Sequence, residues 1–367
     1  MAVTLKDVAE KAGVSIKTVS NVVNERPFIA DETRERVRQA IAALGYQPNL
    51  VARSLRKSHV GVMALAFPSL ANTYFSDIGL EIIAAAAAQS YTVLLDHTGG
   101  HRENEALIAH GLRPHLIDGV ILSADTLNLD DLRVDQIPLP LVLLGEHLYG
   151  APWDHVVVDN VAAACQATAH LLGLGRRRVA FITMAEKEPE RTSESFTSPS
   201  RFRLAGYAAA MAEAGLAIEP DLQLSFLDPN RAAGIVAVKS LLALAKPPDA
   251  IFCFNDLLAL GALRGLHDAG LRVPEDIAVA GFDDIEEGAY ATPSLTTISP
   301  DKRAIAWRAV ELLIDRIQGR RIGPPERFEL PFHLIEREST IGRTRIDSSA
   351  NRLIAHASRE EVTASPN

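Results

Sequence analysis

From residue 60 onward, short apolar runs alternate with amphipathic stretches of helical length, and this alternation constrains the fold more than any other feature. Runs that are apolar throughout predict strands buried on both faces, which occur in parallel sheets covered by helices. About 280 residues is large for one such sheet, so we expect an α/β domain of two lobes, each a doubly wound parallel sheet. The predicted strands are residues 60–67, 91–96, 119–123, 141–145, 156–158, 179–183, 250–254 and 277–281, and the predicted helices are 75–89, 103–111, 161–172, 203–214, 231–244, 256–269 and 301–318.

Polar and aromatic side chains follow several of these predicted strands. In open parallel sheets, ligands bind at the carboxyl ends of the strands. Carboxylates, an amide and aromatic rings gathered there suit a hydroxyl-rich ligand, because polar groups share hydrogen bonds with it and a ring covers its C–H face. Each residue alone could instead cap the following helix, as Asp159 and Asp256 could. The candidate positions are Pro68-Ser69, Tyr74-Phe75, Asp96-His97, Gly145-Glu146, Asn255-Asp256 and Asp283-Asp284.

The first sixty residues follow a different pattern, that of short all-α elements separated by tight turns. Apolar residues spaced i, i+3, i+4, i+7 predict a first helix that Thr4 caps and Gly13 ends. Ser15 offers the N-cap of a second helix over 16–23, and a third helix is predicted over 31–44. Two short helices joined by a short turn that contains glycine constitute a helix-turn-helix.

The outward positions near the start of the second helix are Ile16, Lys17, Ser20 and Asn21. In a helix-turn-helix these positions face base edges in the major groove, where lysine suits guanine and asparagine suits adenine. Periodicity alone leaves another interpretation open, in which Lys17 and Asn21 are simply solvated polar side chains.

The distribution of charge agrees with a role in DNA binding. Residues 1–60 carry ten Lys or Arg and six Asp or Glu side chains, a net charge of +4, whereas the whole chain has a net charge of −9. A basic head on an acidic body suits a protein whose head meets phosphates while its body is repelled by them.

Other classes of protein lack their sequence signatures here. The first residues resemble no secretory signal, and no stretch of about 18 uncharged apolar residues is present, so we expect a cytoplasmic protein without a membrane partner. Cys165 and Cys253 form no metal-ligand pattern, which favours two reduced thiols and no metal site. The GxGxxG, GxxxxGK[ST] and GxSxG motifs are absent, so we expect neither catalytic residues nor a cofactor.

Residues 4–24 resemble, almost position for position, the start of the LacI/GalR family of lactose and galactose repressors, and the match continues through 33–37 and 44–49. The resemblance implies DNA binding and favours the interpretation in which the second helix reads bases. Two departures stand out: Ala30 replaces a frequent capping serine, so that Asp31 could cap the third helix instead, and Ile16 and Lys17 occupy the specificity positions. The positions that the resemblance assigns to DNA are Thr4, Ser15, Ile16, Lys17, Thr18, Ser20, Asn21, Asn24, Arg34, Tyr46, Asn49, Ala52, Arg53 and Leu55.

The resemblance also implies that residues 48–59 form a hinge helix that folds only on DNA and lies in the minor groove. Leu55 would act there as an apolar wedge between bases, and Arg53, Arg56 and Lys57 would neutralise phosphates. A charged linker without this role is the other interpretation.

Blocks of the body resemble the family's effector domain, which has the fold of the periplasmic sugar-binding proteins. This resemblance implies that Arg203, Asn255 and Asp283 bind polar groups of an effector and that Phe75 stacks on it. Gly145 stands where sugar-responsive members carry Asp, which leaves the particular sugar open. The complete set of predicted effector residues is Ser69, Tyr74, Phe75, Glu146, Arg203, Phe226, Asn255 and Asp283.

These features predict a sequence-specific transcriptional regulator, a repressor, whose affinity for a near-palindromic DNA operator is controlled by a small-molecule effector, a sugar, bound between two lobes. The alternative is a sugar-binding or receptor protein without DNA function. The polar segment 185–200 is predicted to be a flexible loop at the mouth of the cleft, where a lid role is open, and because the tail lacks leucine heptads we expect a homodimer. The expected domains are a helix-turn-helix at 1–47, a hinge at 48–59, two lobes at 60–343 (60–160 with 292–322, and 161–291 with 323–343) and a disordered polar tail at 344–367.

Overall fold

The computed structural model of the protein describes residues 3–23, 27–46, 59–111, 116–132, 137–148, 150–186 and 198–342. Contacts divide the chain into two compact units, Met1–Gly61 and Val62–Asn367. Several predicted segments lie outside the described residues: the hinge at 48–59 except for its last residue, the tail at 344–367, Asn24 and most of the segment 185–200. None of the helices that are described is long and apolar enough to cross a membrane.

The N-terminal unit contains the three predicted helices, packed around one small apolar core. Val8, Val19 and Val37, one from each helix, are fully buried, because each helix turns its apolar stripe inward. The helices are α1 (Leu5–Ala12), α2 (Ile16–Val23) and α3 (Asp31–Leu44).

The ends of α1 and α3 are capped in different ways. Thr4 and Asp7 form a reciprocal capping box at the start of α1, and Gly13 ends that helix with a φ of 64°. Ala30 is the N-cap of α3 and makes no side-chain hydrogen bond there. The expectation that Asp31 caps α3 is therefore wrong: Asp31 is the first helical residue, where its charge rather than a hydrogen bond stabilises the helix start.

The first lobe of the second unit is a sheet with the strand order β11-β5-β4-β3-β1-β2, in which every pair is parallel. One of its helices, α11, packs against β3, β4, β5 and α4. The elements of this lobe are β1 (Val62–Phe67), α4 (Thr73–Ala88), β2 (Thr92–His97), α5 (Arg102–Ala109), β3 (Gly119–Ser123), a 3-10 turn (Leu129–Asp131), β4 (Leu141–Leu144), β5 (Asp154–Val158), α11 (Lys302–Ile317) and β11 (Arg327–Leu330).

The second lobe is a sheet with the order β12-β10-β9-β8-β6-β7, parallel except for β12, which runs antiparallel to β10. Helices cover both faces of this sheet, and two apolar clusters fill the space between helices and strands. Its elements are α6 (Asn160–Gly173), β6 (Val179–Met184), α7 (Pro199–Glu213), a 3-10 turn (Pro220–Leu222), β7 (Gln223–Phe226), α8 (Arg231–Leu242), β8 (Ala250–Cys253), α9 (Asp256–Asp268), β9 (Ala278–Phe282), α10 (Glu286–Tyr290), β10 (Thr296–Pro300), β12 (Phe332–Ile335) and α12 (Glu338–Ile341).

The chain crosses between the lobes after β5, after β10 and after β11, and two predicted lobe boundaries are wrong. β10 lies within the segment 292–322 predicted for the first lobe but pairs with β9 of the second sheet. β11 lies within the segment 323–343 predicted for the second lobe but pairs with β5 of the first sheet. Hydrogen bonding to strands of the two sheets therefore decides which lobe β10 and β11 belong to. The last crossing is short, because only Pro331 separates β11 of the first lobe from β12 of the second.

Four strands were not predicted from the sequence: β7, β10, β11 and β12. Three of them, β7, β11 and β12, are edge strands with one side partly exposed, so polar residues alternate with apolar ones and the uniform apolar signal is missing. β10 is buried but begins with two threonines, which obscure the same signal.

Gly206 allows α6 and α7 to cross in close contact. A Cβ added there would overlap the carbonyl oxygen of Val161 and lie 2.8 Å from the amide nitrogen of Cys165. We expect Gly206→Ala to lower the free energy of unfolding by about 1–3 kcal/mol, measured by urea denaturation, because overpacking forces the two backbones apart. The control is Gly173→Ala at the end of α6, where no atom lies within 4 Å of the added Cβ; equal stability of both variants would contradict the argument.

Candidate functional site

The outward face of α2 carries the residues that the sequence assigned to base reading. Ile16 is 43% exposed and Lys17 is exposed, while Ser20 and Asn21 are partly exposed. Val19 and Val22 lie on the opposite face, in the core. The helical period therefore separates a buried stripe from a solvent-exposed one, as predicted.

The start of α2 offers a favourable environment for an anion. The Ser15 hydroxyl accepts a hydrogen bond from the backbone N–H of Thr18 at 3.1 Å and so caps the helix. Unlike α1 and α3, α2 has no acidic residue in its first turn. The positive end of its dipole, together with Lys17, is thus left for an external negative charge such as a phosphate.

The other residues predicted to bind DNA either have a contact within the head, are partly buried, or lie outside the described residues. Thr4 uses its hydroxyl in the capping box, donating to the Asp7 carboxylate at 2.7 Å. Arg34 is partly exposed on α3, and Tyr46 packs against the head core, where burial raises the pKa of its phenol. Asn49, Ala52, Arg53 and Leu55, like Asn24, fall outside the described residues.

A cleft of about 840 Å³ lies between the two sheets of the second unit, at the carboxyl ends of strands from both. Seven of the eight predicted effector residues line it: Ser69, Tyr74, Phe75, Glu146, Arg203, Asn255 and Asp283. Phe226 was wrongly assigned, because its side chain packs against the core of the second lobe. The next residues along the chain, Leu227 and Asp228, line the cleft instead.

Arg203 lies in the cleft with only 8% of its surface exposed. Its guanidinium contacts two aromatic rings, with Cζ 3.4 Å from the centre of the Phe282 ring and 4.4 Å from that of the Phe254 ring. Nε donates to the Asn160 amide oxygen at 2.6 Å, and Nη1 donates to the Phe254 carbonyl. Two of the three guanidinium nitrogens, Nε and Nη1, therefore already donate to protein oxygens, and the third, Nη2, is the one nearest Asp283.

Asp283 faces Arg203 without touching it. The distance from Nη2 to Asp283 Oδ1 is 3.9 Å, longer than a hydrogen bond, and Asp283 is only 4% exposed. Burial raises the pKa of Asp283 to about 7, although Arg203 and Lys302 oppose that shift. A ligand hydroxyl that approaches both side chains from the cleft could accept from Arg203 Nη2 and donate to the Asp283 carboxylate.

Glu146 is a second buried carboxylate in the same cleft. Its Oε1 accepts a hydrogen bond from the backbone N–H of Val158 at 2.9 Å. Burial raises the pKa of Glu146, and the nearby Arg203 lowers it. Glu146 and Asp283 both lie near the buried guanidinium of Arg203, so the floor of the cleft does not favour an added negative charge.

Capping explains some of the predicted polar residues and not others. Asn255 is the N-cap of α9: its amide oxygen accepts from the N–H of Leu258 at 2.9 Å. Asp159 likewise caps α6 through the N–H of Ala162 at 2.9 Å. Asp256 does not cap; it is fully buried and accepts from the Thr297 hydroxyl at 2.6 Å.

Aromatic rings form one wall of the cleft. Phe75 lies 5.2 Å from Phe67 and 5.5 Å from Tyr74, measured between ring centres. Burial raises the pKa of Tyr74, so its phenol remains protonated and can donate a hydrogen bond.

The cleft has further lining residues that were not predicted from the sequence: His101, His147, Asn160, Asn230 and Arg231. Asn230 and Arg231 follow β7, and recognition of that strand would have pointed to them. Among the described residues no group of three or more His, Cys, Asp or Glu side chains could hold a metal.

Comparison with known proteins gives the same two parts. Residues 4–49 match the family model "Bacterial regulatory proteins, lacI family", and residues 168–340 match "Periplasmic binding protein-like domain". The chain is 33% identical over 348 residues, 93% of its length and 99% of the relative's, to the HTH-type transcriptional repressor PurR of Aliivibrio fischeri.

Two solved structures are similar over nearly the whole chain. One is a lac repressor dimer bound to operator and the anti-inducer ONPF, with a TM-score of 0.78, 30% identity and coverage of 93% of this chain and 99% of that one. The other is the complex of the transcriptional regulator CelR with cellobiose, with a TM-score of 0.66, 30% identity and coverage of 92% and 99%. The chain therefore belongs to the lacI family of bacterial regulatory proteins and is a DNA-binding transcriptional repressor rather than an enzyme.

Proposed function

We propose that the cleft binds a neutral, hydroxyl-rich effector, a sugar, and that its occupancy controls how a homodimer of this chain binds a near-palindromic operator. The observation that carries the proposal is the 3.9 Å gap between Arg203 and Asp283, both buried and both facing the cleft. A hydroxyl group is at once donor and acceptor, and from the open side of the cleft it can accept from Arg203 Nη2 and donate to the Asp283 carboxylate.

The charge of the cleft argues against an acidic effector. Asp283 and Glu146 both lie buried near Arg203, which is the one buried arginine in the part of the chain that the structure describes. A carboxylate or phosphate placed among them would make both carboxyl groups still harder to ionise, because their burial already raises the pKa of each. The cellobiose in the related CelR complex supports a sugar, and the aromatic wall of Tyr74 and Phe75 suits the C–H face of a sugar ring.

On the DNA side, α2 would enter the major groove, with Lys17 and Asn21 on base edges and the start of the helix on a phosphate. Four further residues of this region would surround Lys17 and Asn21: Ser15, Ile16, Thr18 and Ser20. The sugar-phosphate backbone of the DNA would be contacted by Thr4, Arg34 and Tyr46. A two-fold dimer would read two half-sites, for which the operator-bound lac repressor dimer is the supporting relative. Sugar binding would release the operator and relieve repression.

The test combines a duplex selected from a random library with a panel of neutral sugars, including cellobiose, a sugar acid such as gluconate, and purine bases. We expect a neutral sugar near 100 times its Kd to stabilise the chain by about 2.7 kcal/mol, seen as a rise in Tm. The same sugar should weaken binding to the selected duplex about 5- to 150-fold.

Asp283→Asn should abolish the response to the sugar, whereas Arg264→Met, in an exposed pair with Asp268, should leave it unchanged. Gluconate should not stabilise the chain. Stabilisation by a purine base and by no sugar would overturn the assignment of ligand class.

A further inference from the structure

The loop between β9 and α10 presents Asp283 to the cleft and is strained. Asp283 and Asp284 have φ values of 113° and 50°, which residues other than glycine rarely adopt. Within the second lobe, Asp256 accepts from the N–H of Ile285 at 3.0 Å, and Arg337 donates to the Asp284 carboxylate at 2.7 Å. Such a conformation persists only where its surroundings fix it.

Lys302 holds the same loop from the first lobe. It is the first residue of α11, and its ammonium group donates to the backbone carbonyl of Asp284 at 2.8 Å. The same ammonium lies 2.6 Å from Asp77 Oδ2 in α4. The Lys302 side chain is only 15% exposed, so water and salt screen this contact less than they screen a surface ion pair.

Lys302 and Asp77 also influence the Asp283 carboxylate. The positive charge of Lys302 lowers the pKa of Asp283, and the negative charge of Asp77 raises it. Lys302 is not among the described residues that line the cleft. Lys302 thus contacts the loop of the second lobe from outside the cleft lining, and its other partner, Asp77, lies in α4 of the first lobe.

We propose that Lys302 is a positioning residue that transmits the state of Asp283 to α4 of the first lobe. The inference rests on the proposed effector function, because Asp283 changes state when a ligand hydroxyl donates to it. A ligand alters operator affinity only through a difference between two states of the protein. Lys302 of the first lobe holds this strained loop of the second lobe. The loop is therefore an element whose arrangement both the ligand and the first lobe can bias.

The test needs no sugar, because Asp283→Asn neutralises the carboxylate and serves as the probe. Binding to the selected duplex is measured for the wild type, Asp283→Asn, Lys302→Met and the double variant. We expect Asp283→Asn to change duplex affinity about fivefold or more when Lys302 is present, and less than about twofold when it is replaced by methionine.

Two control variants separate transmission from a general loss of structure. Lys302→Arg keeps a cation at the position and should retain the effect of Asp283→Asn. Arg308→Met removes another cation of α11, one that pairs with Glu311 of the same helix, and should retain it as well. Asp77→Asn removes the far end of the link and should suppress it.

A second measurement uses the chain alone. Asp283→Asn should change amide hydrogen exchange in the first turns of α4, residues 73–80, and should not do so in the Lys302→Met background. Equal effects of Asp283→Asn in both backgrounds, or no effect in the wild type, would overturn the proposal. A failed sugar panel with an intact Lys302 effect would instead reject the proposed effector class and keep the link.

Discussion

Replacing Arg203 with methionine should lower the free energy of unfolding by about 3–5 kcal/mol and abolish the response to a sugar effector. The loss is large because removing one side of a buried ionic arrangement leaves the other side uncompensated. The Asn160 amide oxygen and the Phe254 carbonyl lose their donors, and Asp283 loses the charge that opposes its desolvation. Urea denaturation with and without sugar measures both effects.

Two comparison variants define what that result means. Arg264→Met breaks an exposed pair with Asp268 and should leave the free energy of unfolding nearly unchanged, because solvent screens such a pair. Adding Asp283→Asn to Arg203→Met should recover part of the lost stability, because no buried carboxylate is then left without its cation. If Arg203→Met were as stable as Arg264→Met, the buried arrangement described for the cleft would be wrong.

Replacing Lys17 with alanine should relax the base preference of the repressor. A good side-chain contact to a base edge contributes about 1–3 kcal/mol of discrimination, so the preference at one position of the selected site should fall about 5- to 150-fold. Lys17 is exposed at the start of α2, next to a helix end with no acidic residue in its first turn. Binding to single-base variants of the selected duplex, at one fixed salt concentration, measures the change.

Lys11→Ala is the matched control, since Lys11 carries the same charge and is exposed in the last turn of α1. It should weaken binding to all duplexes by a similar factor, if at all, without changing their order. A uniform loss of affinity in Lys17→Ala, like that of a phosphate contact, would reject the base-reading role of this lysine.

Most of the effector residues predicted from the sequence line the cleft, whereas the contacts among their side chains were not predicted. Of the seven predicted residues that line it, six follow a strand or lie at the start of a helix at the same edge of a sheet. The seventh, Arg203, is the fifth residue of α7 and was predicted from the family resemblance. Phe226 was misplaced, because side chains alternate along a strand and β7 was not recognised. The engagement of Arg203 by Asn160 and Phe254 has no local signal, since these residues are 43 and 51 positions away from it.

The amino-acid sequence by itself determined the three helices of the head, the outward face of α2 and the α/β character of the body. These depend on local periodicity, caps and turns, which neighbouring residues set. Only the tertiary structure decided which lobe β10 and β11 join, the gap between Arg203 and Asp283, and the hold of Lys302 on the Asp284 carbonyl. Strand pairing and the desolvation of charges depend on residues far apart in the chain, so no short window of sequence contains them.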